Sequence, residues 1–139
     1  MLITTTVKNR RRIFDDEAFA REAIETLYRV QKLHPFILFG FVIMPDHCHL
    51  LVYVPAPESI STIMRVFKYG LTFNLGIGAF WQARFHIGLP KNPQSSLWYI
   101  HHNPVRAGLA EKLQDYPWSS GSGRWKVARL DDFYRSQAG

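Results

Sequence analysis

The sequence predicts an α+β domain, an antiparallel or mixed sheet with helices packed on one face. Three observations predict it. Short β-branched or apolar runs alternate with longer stretches whose apolar residues recur every three or four positions. Two of the short runs are separated only by Pro45-Asp46, the spacing of a hairpin. The resulting order, β-α-β-β-α-β-α, fits a single domain over residues 1–139, with enough chain to bury a core.

The elements follow in order. Leu2 to Val7 (LITTTV) is short and β-branched, a first strand. The polar run KNRRR turns the chain, and Asp15 and Asp16 offer carboxylates to cap a helix. From Asp16 to Leu33, the residues Phe19, Ala23, Leu27 and Val30 repeat at helical spacing until Pro35 closes the pattern. Phe36 to Met44 reads as a second strand, and His47 to Val54 as a third, paired with it. Pro55 and Pro57 stiffen the connection to a second helix over Ser61–Phe73, capped by Ser59 or Ser61 and weakened by Gly70. NLGIGAF is a glycine-containing loop, and Trp81 to Ile87 a fourth strand. KNPQ opens a short helix through Tyr99 that should run out near Asn103, because proline disfavours helical geometry in the residue before it. The remainder reads as turns and short helices with a frayed end, and the whole order resembles a ferredoxin-like fold.

Composition narrows the function. Apolar residues make up 47% and charged residues 20%, a globular balance rather than a disordered one. No window approaches the ~18 uninterrupted apolar residues of a membrane helix. In MLITTTVKNRRRIF the basic cluster follows the apolar residues and no small-residue cleavage site comes after, so no signal peptide is expected. The lone Cys48 leaves no partner for an internal disulfide and fits a reducing interior. Lys and Arg number 17 against 11 acidic residues, a net charge of +6 that favours a polyanionic partner, nucleic acid before membrane. Trp81, Trp98 and Trp118 are read as core residues rather than stacking platforms.

The chemistry centres on PDHCHLLV. Strand side chains alternate between faces, so His47, His49, Leu51 and Tyr53 share one face while Cys48, Leu50, Val52 and Val54 share the other. Two neutral imidazoles side by side can chelate a divalent ion. An isolated His-x-His on a strand is more often an ordinary satisfied pair. In LWYIHHNPVRAG, however, Tyr99 and Asn103 lie four residues apart and stack on one helical face. Two imidazoles and an amide oxygen make a neutral, partly open site suited to magnesium or manganese. There a phosphodiester could be polarised and attacked by the tyrosine oxygen, leaving a phosphotyrosine link.

These motifs resemble a known family. PDHCHLLV is similar to the His-hydrophobe-His motif of single-strand DNA transposases with one catalytic tyrosine. YIHHNPVRAGL followed by DYPWSS resembles the REP-associated tyrosine transposase branch, with weaker support from RRRIFDD, IMRVFK and WQARF. The resemblance spans about residues 2 to 120. It implies an RRM-like, HUH-type nuclease fold and a metal-dependent enzyme that cleaves and rejoins single-stranded DNA near hairpins, releasing a 3′ hydroxyl. By that pattern His47, His49 and Asn103 are metal ligands and Tyr99 is the nucleophile. The ion would be magnesium or manganese, and no nucleotide cofactor is needed because transesterification conserves the phosphodiester energy. Lys68, Arg65, Arg106, Arg10, Arg11 and Arg12 are the candidate DNA contacts, with an affinity falling at a log–log salt slope of about −0.7 per phosphate. A cytoplasmic protein acting at the nucleoid, as a monomer or a homodimer, is implied, with no membrane partner.

Two features depart from the family pattern. The stretch from Trp81 to Tyr99 is several residues short, with GLPKNPQSS in place of an acidic helix start, and the chain begins almost at its first strand, without an N-terminal arm. Three other readings therefore stand beside the transposase. A binding module that kept the fold would never link Tyr99 to DNA. A small-phosphoester hydrolase would survive Tyr99→Phe, and a metal-free structural domain would ignore manganese.

Overall fold

In the computed structural model, which describes residues 1–138, the strands β1 (Leu2–Thr6), β2 (Ile37–Met44), β3 (His47–Tyr53) and β4 (His86–Gly88) form one sheet in the order β2-β3-β1-β4. Every pairing is antiparallel. The sheet is therefore purely antiparallel, with the strand order and connections of a ferredoxin-like sandwich. The helices are α1 (Glu17–Leu33), α2 (Ile60–Leu75), α3 (Pro93–Arg106) and α4 (Leu130–Ala138).

Each helix starts where the sequence supplies a cap. Asp16 accepts from the backbone of Ala18 and Phe19 to begin α1, and Ser59 accepts from Thr62 N to begin α2. Gly76, at φ 67°, ends α2 in the left-handed conformation that glycine adopts without strain. Asn92 caps α3, with Pro93 in its first turn. The expected stop at Asn103 does not occur: α3 continues through Pro104 to Arg106. Proline removes one backbone donor and clashes with the preceding turn. Here Pro104 is buried together with Ile100, and that packing carries the helix past it. Trp81–Ile87 is also not one strand. Trp81 makes a single bridge to Val7 and Gln82 N reaches Thr6 O, then the chain leaves the ladder and rejoins it at His86.

Packing divides the sheet's faces. Tyr28 of α1 meets Phe41, the register partner of Leu50, so α1 covers the face bearing Leu50 and Cys48. The helices α1 and α2 cross at Gly70, close to Thr26. The expectation of helices on one face describes α1 and α2, whereas α3 and α4 lie over part of the other. Gly40 pairs with Leu51, so it shares the histidines' face, and a Cβ there would overlap Leu97 Cδ1 of α3. Phe133 of α4 packs edge-on against Phe39 and tilted against Tyr53.

The DYPWSS motif seals the outer edge of β2. Ile43 N donates to Trp118 O at 2.8 Å, the Tyr116 hydroxyl donates to Ile43 O at 2.7 Å, and Phe41 N donates to Ser120 Oγ at 3.0 Å. An edge so occupied cannot template pairing with another chain. Trp118 and Trp81 are buried, as expected of core residues. No helix among the described residues is long and apolar enough to cross a membrane.

Candidate active site

Strand register builds the site. β1 alternates, so Ile3 and Thr5 face α1 and α2 while Thr4 and Thr6 face the other way. Thr4 pairs with His49 and Thr6 with His47, which sets two hydroxyls beside two imidazoles on one stretch of sheet. The imidazole centroids lie 4.9 Å apart at 77°.

Each ring is held through Nδ1. His49 Nδ1 lies 2.8 Å from Thr4 Oγ1, and His47 Nδ1 lies 2.6 Å from Asp46 Oδ1. His47 Nδ1–H donates to the carboxylate and leaves Nε2 its lone pair, and His49 can do the same toward the Thr4 hydroxyl. Such a second partner fixes tautomer and ring orientation in a metal ligand. Arg10 in turn steadies Asp46, 3.5 Å from Oδ2. His49 is only 7% exposed. Burial, with a smaller contribution from His47, brings it down to about 4, so it is neutral at physiological pH. A neutral imidazole with a free Nε2 is the form that binds a cation, so the donor chemistry fits a divalent metal. Among the described residues no three His, Cys, Asp or Glu side chains gather as a metal cluster. A third protein ligand would therefore be of another type, such as an amide.

The helix α3 brings the rest. The Tyr99 ring lies 5.6 Å from His49, edge to face, and Arg106 Cζ sits 5.8 Å from the centroid of the Tyr99 ring. Tyr99, Asn103, Arg106 and Ala107 line an open hollow of about 290 Å³. Neither histidine lines it, so this hollow does not bring Asn103 together with the imidazoles.

The remaining basic candidates scatter. Arg65 is exposed on α2. Lys68 donates to Gln82 O at 2.7 Å and is partly buried, tying α2 to the segment before β4. Arg11 is exposed, and Arg12 pairs with Asp15 at 2.8 Å. Trp98 corrects an expectation. It is 55% exposed, because Leu97, Ile100, His101 and Pro104 are the α3 residues turned to the protein interior. Thr4, Asp46 and Gly40 were missed by sequence reasoning. Asp46 had a signal, since it directly precedes His47. Thr4 and Gly40 had none, because both depend on register across strands.

Comparison with known proteins agrees with this geometry. A REP-associated tyrosine transposase of Escherichia coli (strain K12) is 28% identical over 123 residues, 84% of this chain and 73% of that protein. A candidate REP-associated tyrosine transposase of Haemophilus influenzae is 30% identical over 105 residues, 63% of this chain and 60% of that one. A solved REP-associated tyrosine transposase bound to a REP hairpin superposes with a TM-score of 0.76 at 26% identity, covering 86% of this chain and 74% of its own. The model of the IS200-like transposases matches residues 2–102, most of the strands and helices that carry the site, and the chain belongs to that family.

Proposed function

We propose that the protein is a metal-dependent single-strand DNA transposase that cleaves and rejoins DNA near hairpins through Tyr99. The observation that carries it is the contact of Tyr99 with His49 on the open face of the sheet, with His47 alongside. Nε2 of His47 and Nε2 of His49 would hold a magnesium or manganese ion, and the Asn103 amide oxygen, one helical turn from Tyr99, is the candidate third ligand. Such an ion supplies Lewis-acid polarisation of a phosphodiester. Tyr99 Oη attacks the phosphorus, a Tyr–O–P bond forms as the phenolic O–H and the P–O3′ bonds break, and the departing 3′ oxygen takes up the proton that the phenol gives up. The 5′ phosphate stays on the protein until a 3′ hydroxyl reverses the exchange, so no nucleotide cofactor is consumed. Arg106, beside the phenol ring, meets the phosphate charge.

The hairpin carried by the solved relative supports a hairpin partner here. Exposed Arg11, Arg12 and Arg65 provide phosphate contacts, and Arg10 provides one beside the Asp46–His47 pair. Lys68 contributes less, since its ammonium already serves Gln82. The His49–Tyr99 contact within one chain supports use of the tyrosine with its own chain's histidines.

Covalent trapping tests the reading. End-labelled hairpin oligonucleotides with single-stranded flanks and manganese should give an adduct that survives a denaturing gel. Tyr99→Phe and His49→Ala should each abolish it. Cleavage persisting in Tyr99→Phe would assign the attack to water instead. Hairpin binding without cleavage or adduct would leave a binding module, with the exposed, short connector through β4 as the changed part.

A further inference from the structure

A second exposed feature of α3 takes no part in that transfer reaction. Trp98 and His102 lie one turn apart with ring centroids 4.0 Å apart and planes 17° from parallel. His102 Nδ1 is 2.9 Å from Trp98 O, so the imidazole is tied to the backbone beneath the indole and the pair is held as one ledge. The imidazole covers one indole face. Trp98 also borders a hollow of about 300 Å³ whose remaining walls, Gln94 and Ser95, lie a turn before it on α3, away from His102. On its flank the ledge also walls a hollow of about 420 Å³, lined by Phe39, Leu97, Val127 and Leu130 together with Arg129 and Asp131.

We infer that the Trp98–His102 ledge is a stacking subsite for one unpaired nucleobase of the DNA strand whose phosphate reaches Tyr99. The inference rests on the transposase reading and adds to it where the strand runs. Successive helical positions point about 100° apart, so Trp98 and Tyr99 occupy adjoining flanks of α3 with Arg106 between them. A strand laid across the helix presents a phosphate at Tyr99, where Arg106 lies, and sets a base against the indole on the side of Gln94 and Ser95. The surroundings fit a base better than a protein partner. The small hollow is what favours a base, since its walls besides Trp98 are the polar Gln94 and Ser95. The flanking hollow is mostly apolar, with Phe39, Leu97, Val127 and Leu130 beside Arg129 and Asp131. The Gln94 amide offers a donor and an acceptor to a base edge, and the net charge of +6 suits the attached phosphates.

The test separates base from backbone. Fluorescence anisotropy would compare a thymidine oligomer of about 20 nucleotides, longer than the roughly 4–16 of a typical single-strand site, with an abasic tetrahydrofuran oligomer of equal length. Trp98→Ala should weaken thymidine binding about tenfold, as for a lost base–aromatic stack, and leave abasic binding within about twofold. Trp98→Phe should keep most of the affinity, and His102→Ala should lose part of it, which carries the test even if the alanine variant folds poorly. Equal loss on both oligomers, or none on either, overturns the inference. So does a change in sedimentation of Trp98→Ala without a change in DNA affinity, which would mark a protein interface. The Tyr99 adduct is read separately. Base-dependent binding without an adduct would remove the transfer reaction and keep the subsite, while an adduct indifferent to Trp98→Ala alongside unchanged binding would do the reverse.

Discussion

Along β3, alternate residues meet two different environments. Cys48, Leu50 and Val52 are sealed beneath α1 and α2, while His47 and His49 face outward beside Thr4, Thr6 and Tyr99. Burial acts on both sides in the same sense, favouring the neutral form. On the sealed side it pushes the Cys48 thiol up to about 12, which leaves an inert sulfur. On the other it pulls His49 down to about 4, which leaves an imidazole free to bind a cation. The same force makes one residue structural and its neighbour reactive, and the difference lies in what each side chain can do once neutral.

The sharpest way to break the comparison is to damage the sealed face alone. Leu50→Ala removes a buried side chain that the active face does not touch, and should cost about 2–5 kcal/mol of stability. Thermal melting should show a large fall in midpoint. Below that midpoint the adduct yield per folded molecule should match the unaltered protein. A loss of adduct in the cold, folded variant would mean that the two faces are coupled through the strand.

Within the active face the two histidines invite a finer comparison. His47 is oriented by a carboxylate and His49 by a hydroxyl. Removing such partners lowers metal affinity by about 10–100-fold. Titration calorimetry with manganese should show that loss for Asp46→Asn and for Thr4→Val. The two should part on salt. Asp46→Asn removes a charge near the surface, so its deficit should shrink as ionic strength rises, whereas the deficit of Thr4→Val, which replaces a neutral partner of a buried ring, should not. Equal behaviour in salt would remove the distinction between the two orienting groups.

Much of this was legible in the sequence, for identifiable reasons. The His-x-His face followed from alternation alone, and α1 and α2 from periodicity and capping residues. Helical spacing placed Tyr99 and Asn103 on one flank of α3, where they line a single hollow. The end of α3 was misread because the local preference before Pro104 was outweighed by the packing of Ile100 and Pro104 itself, both buried. Trp98 was misread because an indole is usually buried, and only the direction of α3 on the sheet turns it outward. Thr4 and Gly40 lay beyond sequence reasoning, since each acquires its role from a residue on another element.

Gly40 is the smallest of these features and the one on which the cover of the active face depends. Leu97 sits where its Cβ would be, and Ser120 Oγ would lie 3.3 Å from it, so the missing side chain forms the saddle on which α3 rests. The Leu97 methyl is the far end of a flexible side chain and can swing aside, so Gly40→Ala should cost only about 1 kcal/mol, the low end for overpacking. Any lift of α3 also moves Tyr99 away from His49, so adduct formation should slow several-fold even where melting barely changes. Leu97→Ala empties the same space from the other side. If the saddle is what sets the tyrosine, the double variant Gly40→Ala/Leu97→Ala should form adduct faster than Gly40→Ala alone, a favourable coupling between two residues 57 positions apart. Additive losses in that cycle would mean that α3 is positioned by its other contacts, and that the glycine only relieves local crowding.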